Sequence, residues 1–465
     1  MGTSSPESFL DAVYRLAATY TSRGSTTEAT QLRDVADTAK EKAAAGGAGG
    51  AAVLEDLGAL VKTYLESARW NIAIDLGVLV LNARKALLGE KDPSTLTAMS
   101  NLASAYWGQG RWKEAANIGH RVTDLRRRTL GDEHPQTLTS MSNLASTYSR
   151  QGQWRDAEIL QVKVLEVRVK TLGRDHPSTM TSMGNLAVTY GNLGRYADEE
   201  KLERHLIELG EAKLGAMDGS VLTWKSNLAE TYREQGRLES ANRLHLLVFN
   251  ARKDTLGIQH PLTLTSMANL ASTYRQQGRW EEAEHLENCV VKTSEAVLGR
   301  DHPQTLMAVG NLASTYCRQG RLRDAAGLWT RVVALMKTVL GDHHPDTLTA
   351  MADLAVTYQR QGQLSDAETL MIQTLNGMKA TLGQEHPHTL TAMANLGMIY
   401  QSQGRWEEAG DLAEQVYAGR RKILGEEHSD TALALEDLMR IARVEAADRT
   451  MQASEHPSNL ILIHQ

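Results

Sequence analysis

Cysteine is nearly absent from this sequence. Only Cys289 and Cys317 occur in 465 residues, and their spacing encodes neither a disulfide framework nor a C-x-x-C zinc half-site, which suits a reducing cytoplasm. Long apolar runs are missing as well. No stretch approaches the ~18 residues of a membrane-spanning helix. The opening "MGTSSPESFL" lacks the basic-then-apolar order of a secretory signal, and Pro6 stands where a myristoylation signal needs serine or threonine. A membrane partner is therefore not expected. Basic charge is in deficit: 50 Lys and Arg face 56 Asp and Glu, for a net charge of −6, with no basic stripe to track a phosphate backbone. Nucleic acid is excluded as an expected partner on that ground. There is also no G-x-x-x-x-G-K-[ST] loop for nucleotide phosphates and no G-x-S-x-G nucleophile turn, so neither a cofactor nor an enzyme activity is expected.

What the chain has instead is repetition. "HPQTLTSMSNLASTYSRQGQWRDAE" begins at His134 and returns almost unchanged at His260 as "HPLTLTSMANLASTYRQQGRWEEAE", three periods of 42 residues later. Self-similarity at that period marks a solenoid or a propeller. Within one unit, Leu138, Met141, Leu144, Ala145 and Tyr148 fall at the three-and-four spacing of a helical face, and a second face follows at Trp154, Ala157, Leu160, Val164 and Val167. Gly152 separates them. Each unit is thus a helical hairpin, opened by Pro135 in a first turn and closed by Gly173 past a helix end. One hairpin alone leaves an apolar side wet, so the pairs must stack.

Leu102, Ala103, Tyr106, Gly110 and Ala115 stand at the spacing of the tetratricopeptide repeat, and this chain resembles that family. The fuller phrase of "NLA", "QGRW", "LG" and the "HP" opener is similar to the repeats of kinesin light chains and related arrays, some of them fused to nucleotide-binding receptors. The resemblance covers roughly residues 53 to 440 and implies an all-α, right-handed superhelical solenoid of antiparallel helix pairs. Two departures narrow it: no heptad coiled coil precedes the repeats, and no P-loop module is present.

The organisation that follows is a degenerate N-terminal hairpin at 1–42, a Gly/Ala linker at 43–52, nine repeats at 53–428, a capping helix at 429–449 and a loose tail at 450–465. One joint departs from the pattern. Glu199 takes an alanine column, Lys225 an apolar one, and "AMDGS" replaces the His-Pro opener, beside Trp224 in a column of serine and alanine. Either this repeat has decayed, making the weakest joint of the array, or Trp224 is an exposed contact point.

Seven openers carry histidine, at 134, 176, 260, 302, 344, 386 and 428. Helix packing puts equivalent residues about 10 Å apart, whereas zinc ligands converge at about 2 Å, so a loop role is expected and no metal. The mid-helix asparagines are more informative. Asn101, Asn143, Asn185, Asn227, Asn269, Asn311 and Asn395 stand where asparagine is poorer than alanine by up to ~0.7 kcal/mol, with Asp353 as the one substitution. They lie on a polar stripe with a variable column that includes Arg150, Arg318 and Arg360. The family resemblance implies that first helices line a concave surface and that this asparagine holds peptide backbones. A carboxamide suits that task, offering both a donor and an acceptor. The arginines would then prefer acidic side chains. Alternatively each asparagine bonds to a neighbouring helix, or duplication copied an indifferent residue. The expected function is a cytoplasmic, non-catalytic scaffold or adaptor for a protein or peptide ligand. Its rival is a ligand-sensing array working with a separately encoded nucleotide-binding partner.

Overall fold

The structure is a computed structural model that describes residues 6–44 and 49–455, and all regular structure among these residues is α-helical. Helices α1 (Pro6–Ser22) and α2 (Thr26–Ala44) form the first pair, α3 (Gly49–Glu66) and α4 (Trp70–Leu88) the second, and α5 (Pro93–Gly108) and α6 (Trp112–Leu130) the third. There follow α7 (Pro135–Arg150) with α8 (Trp154–Leu172), α9 (Pro177–Asn192) with α10 (Tyr196–Leu214), and α11 (Gly219–Glu234) with α12 (Leu238–Leu256). Next come α13 (Pro261–Gln276) with α14 (Trp280–Val297), α15 (Pro303–Arg318) with α16 (Leu322–Val339), and α17 (Pro345–Arg360) with α18 (Leu364–Thr381). The last pair is α19 (Pro387–Ser402) with α20 (Trp406–Leu424), and α21 (Ser429–Glu455) ends the described chain.

Two ends differ from the sequence expectation. The segment read as a linker is invaded from both sides, because α2 continues to Ala44 and α3 begins at Gly49. Alanine, the best helix former, flanks it. Residues 45–48 lie outside the described residues. Helix α21 likewise runs to Glu455, into the stretch expected as a tail, whose remaining residues 456–465 also lie outside the described ones.

The chain divides within α8 into two compact units, residues 1–167 and 168–465. In the first, Val13, Leu32, Leu57, Leu76, Met99 and Leu102 belong to one continuous core. In the second, Trp329, Val332 and Met336 of α16 pack with Leu348 and Met351 of α17, and Met371 and Leu375 of α18 with Met393 and Leu396 of α19. Burial of each such side chain stabilises by roughly 1.5–3 kcal/mol. The packing joins successive pairs as well as the two helices of each pair.

Local chemistry fixes each helix end. The histidine of each opener is an N-cap: Nδ1 of His134, His176, His260, His302, His344, His386 and His428 accepts the backbone N–H two residues on, at 3.1–3.2 Å. Where histidine is missing, Asp92 and Asp218 accept the same bond from Ser94 and Ser220. Histidine caps only through a free Nδ1 lone pair, hence as the neutral ring protonated at Nε2. The turn inside a pair has its own device. Gly320 sits at φ +80°, in the left-handed region, and turns the chain so that Arg321 lies 3.8 Å above the Tyr316 ring. The same arginine-on-tyrosine contact recurs at Arg195, Arg237, Arg279 and Arg405. The recurring Gly-Arg step is therefore a clasp between the two helices.

His302→Ala should cost about 1 kcal/mol and speed hydrogen exchange in the first turn of α15, whereas His302→Asp should hold both near wild type. Equal loss in the two variants would contradict the capping role.

Candidate functional site

The seven asparagines sit on the first helices, and their surroundings differ. Asn143 and Asn185 are exposed, and Asn101, Asn227, Asn269, Asn311 and Asn395 are half-buried. Asn269 donates from Nδ2 to Ser226 Oγ of the preceding first helix at 3.2 Å. The neighbouring-helix reading accounts for that one residue. The other six carboxamides make no side-chain hydrogen bond to any described residue. Asp353 stands exposed on the same stripe.

The three arginines are all exposed and keep different company. The Arg150 guanidinium lies 5.1 Å over the Trp107 ring. Arg360 donates from Nη1 to Cys317 Sγ at 3.2 Å. Arg318 is near enough to Arg275 to help lower that residue's pKa, after burial. Arg275 itself donates to Glu287 Oε1 at 3.3 Å and to the Asn311 carbonyl at 3.0 Å. The end of the stripe carried by α13, α15 and α17 is thus rich in guanidinium.

Between successive first helices lies a cleft floored by a second helix. At α5 and α7 it is an open cavity of about 240 Å³ with Ala115 and Gly119 of α6 as its floor and Trp107, Ser104 and Asn143 among its walls. The cavity exists because Gly119 has no side chain. Read at the period, its column runs Gly77, Gly119, Gln161, Glu203, His245, Glu287, Trp329 and Met371. Four successive units therefore bury a polar group here: Gln161, Glu203, His245 and Glu287 are each 6% exposed or less. Their bonds are few. The Thr231 hydroxyl donates to Glu203 Oε2 at 2.7 Å, and His245 Nδ1 meets Thr273 Oγ1 at 2.9 Å. Gln161 Oε1, Glu203 Oε1 and Glu287 Oε2 are buried without a partner. Such orphaned atoms carry a desolvation cost of about 1–3 kcal/mol each.

Burial dominates the electrostatics of this column. It pushes Glu203 up to about 8 and Glu287 up to about 7, it lowers His245, and one turn before Glu203, in the alanine column, it pushes Glu199 up to about 7. Sequence reading singled out Glu199 but passed over Glu203 and the rest of its column. The signal available was a polar residue four places after the second-helix alanine in four consecutive units.

The departures clustered at α10 and α11 turn out to be matched. Glu199 lies against Gly191, where an added Cβ would stand 2.5 Å from its Oε1. Trp224 is half-buried, not exposed, and Gly210 makes its room: a Cβ on Gly210 would fall 2.4 Å from the ring. Lys225 is 8% exposed and pairs with Glu211 at 2.8 Å while donating to the Ala216 carbonyl. Each unusual residue thus has a companion. No group of His, Cys, Asp and Glu among the described residues could hold a metal ion, and no helix among them is long and apolar enough to cross a membrane.

Comparisons with known proteins agree with the repeat geometry. A tetratricopeptide repeat profile matches residues 51–127, 94–168, 220–296, 304–380, 354–422 and 388–448, and a second one matches 179–218. A putative kinesin light chain of Podosopora anserina, with nearly identical TPR-like repeats, is 33% identical over 43% of this chain and 95% of its own, at a TM-score of 0.38. The apo quorum sensor NprR from B. thuringiensis is 17% identical, covering 77% of this chain and 98% of its own, at 0.49. A Rap protein complexed with Competence and Sporulation Factor is 12% identical, covering 85% and 98%, at 0.44. No curated protein matches.

The buried carboxyls set a pH dependence. The unfolded chain releases such protons near pH 4–5, whereas folded Glu287 and Glu203 release theirs only near 7 and 8. At these two carboxyls the folded state holds more protons between those limits, so the stability they contribute is greatest on the acid side and falls as pH rises through the window. His245, lowered by burial, acts oppositely and only on acidification below the ordinary histidine range. Above the ordinary histidine range, unfolding free energy should therefore decline from about pH 7 to about pH 8.5, and Glu203→Gln with Glu287→Gln should flatten the decline. A wild-type profile that rises over that range would contradict the assignment.

Proposed function

We propose that this chain, which belongs to the tetratricopeptide repeat family with kinesin light chain-like repeats, is a non-catalytic scaffold that holds a peptide segment of a partner protein against its first helices. Tetratricopeptide arrays are protein–protein interaction modules, and that coarse role comes with the family. The finer reading rests on one observation: six of the seven stripe asparagines, Asn269 excepted, have carboxamides with no protein partner among the described residues. A half-buried or exposed carboxamide repeated along the array offers a donor and an acceptor to a peptide backbone without reading its side chains. The spacing is compatible, because about three residues of extended chain cover the roughly 10 Å between helix pairs. Selection by side chain falls to the variable column, where Arg318 and Arg360 favour acidic residues through charge-assisted bonds.

Peptide-library selection on wild type and variants tests the reading. Asn185→Ala with Asn311→Ala should weaken binding by about 0.5–1.5 kcal/mol per carboxamide at unchanged melting temperature, while Asn269→Ala should also lower stability. Arg318→Glu with Arg360→Glu should reverse the acidic preference. Unchanged binding in both double variants would reject the proposal.

A further inference from the structure

The residues that line the open cavity between α5 and α7 have counterparts between α9 and α11, 84 residues further along, and these are chemically inverted. Ala115 and Gly119, the floor of the cavity, become Glu199 and Glu203. Ser146 becomes Glu230, Ser140 becomes Trp224, Trp107 becomes Gly191, and Asn143 is kept as Asn227. A side chain at the position of Gly119 must project into the cleft, so the Glu203 carboxyl does. It is 2% exposed, with Oε1 unpartnered.

Few cations face these acids. On α11, Arg233 is engaged by Glu230 at 2.8 Å and by Glu234. On α10, Glu200 is held by Arg204, and Arg237 also bonds to it. His245 of α12 faces Glu230 Oε1 at 3.3 Å. From α9 come only Gly184, Val188 and Gly191, none of which carries charge. Nothing cationic bonds to Glu199 or Glu203. Gly191 leaves the mouth of the cleft without a side chain and the Glu199 carboxyl directly behind it.

We infer that Glu199, Glu203 and Glu230, with Trp224 and Asn227, form a subsite for a cationic side chain, a lysine ammonium or an arginine guanidinium, of the peptide held by this array. The inference rests on the proposed peptide-binding role. Carboxylates supply charge-assisted acceptors, which favour a cation over a neutral chain of equal size. The burial that holds both carboxyls partly protonated also makes an arriving cation displace protons. The groove of the second unit is therefore zoned, acidic at α10–α11 and basic at α13–α17. The cleft lies two to three helix pairs from Arg318 and Arg360, roughly 20–30 Å, so the basic residue of a ligand should stand about six to nine residues from an acidic one.

The test uses the full chain and a randomised decapeptide library. Wild type should enrich lysine or arginine at one position, and replacing that residue by norleucine in a selected peptide should weaken binding at least about tenfold. Glu199→Gln with Glu203→Gln should remove the difference. Isothermal titration of the wild type with that peptide, near pH 7 in phosphate and in Tris, should register release of about one proton, a readout independent of any variant. Failure to enrich any peptide would overturn the groove reading and this subsite with it. Enrichment with equal binding of lysine and norleucine, or without proton release, would overturn the subsite alone.

Discussion

Each helix pair carries an apolar face that only the next pair can cover, and everything else in this protein is arranged around that dependence. Because a second helix packs between two successive first helices, the residue it presents there decides whether the cleft is open, apolar or charged. Trp329 and Met371 fill their clefts with apolar bulk, Gly119 leaves about 240 Å³, and Glu203 and Glu287 put carboxyls where packing would favour carbon. Removing polar atoms from water without full pairing costs stability. The array accepts this in consecutive units, at the positions closest to the asparagine stripe.

The same dependence explains the companions of the odd residues. A tryptophan in a serine column needs volume, and Gly210 surrenders it from the neighbouring helix. A glutamate in an alanine column needs room, and Gly191 yields it. These paired changes preserve the stacking while altering what faces the cleft. They read as a specialised joint, in contrast to decay, which would leave cavities or clashes uncompensated.

How much of this was legible in the sequence follows from where each feature is encoded. Helix ends are written in adjacent residues, the His-Pro opener and the Gly-Arg turn, so the 42-residue period was enough to place the hairpins. The asparagine stripe was legible because it repeats. The Glu203 column was not, since attention to repeated letters passes over the one column whose chemistry changes from unit to unit. The glycines around Trp224 were invisible for another reason: Gly184, Gly210 and Trp224 come together only when three helices pack. Helix boundaries at residues 43–52 were misjudged because glycine was weighed more heavily than the alanines beside it.

Selective isotope labelling of the asparagine side-chain amides offers the most direct measurement of whether the stripe grips a backbone. On titration with a library-selected peptide, the carboxamide signals of Asn185, Asn227 and Asn311 should shift together and saturate at one affinity, while Asn269, already bonded to Ser226, should move least. Shifts absent from all of these amides while the peptide remains bound would contradict the account.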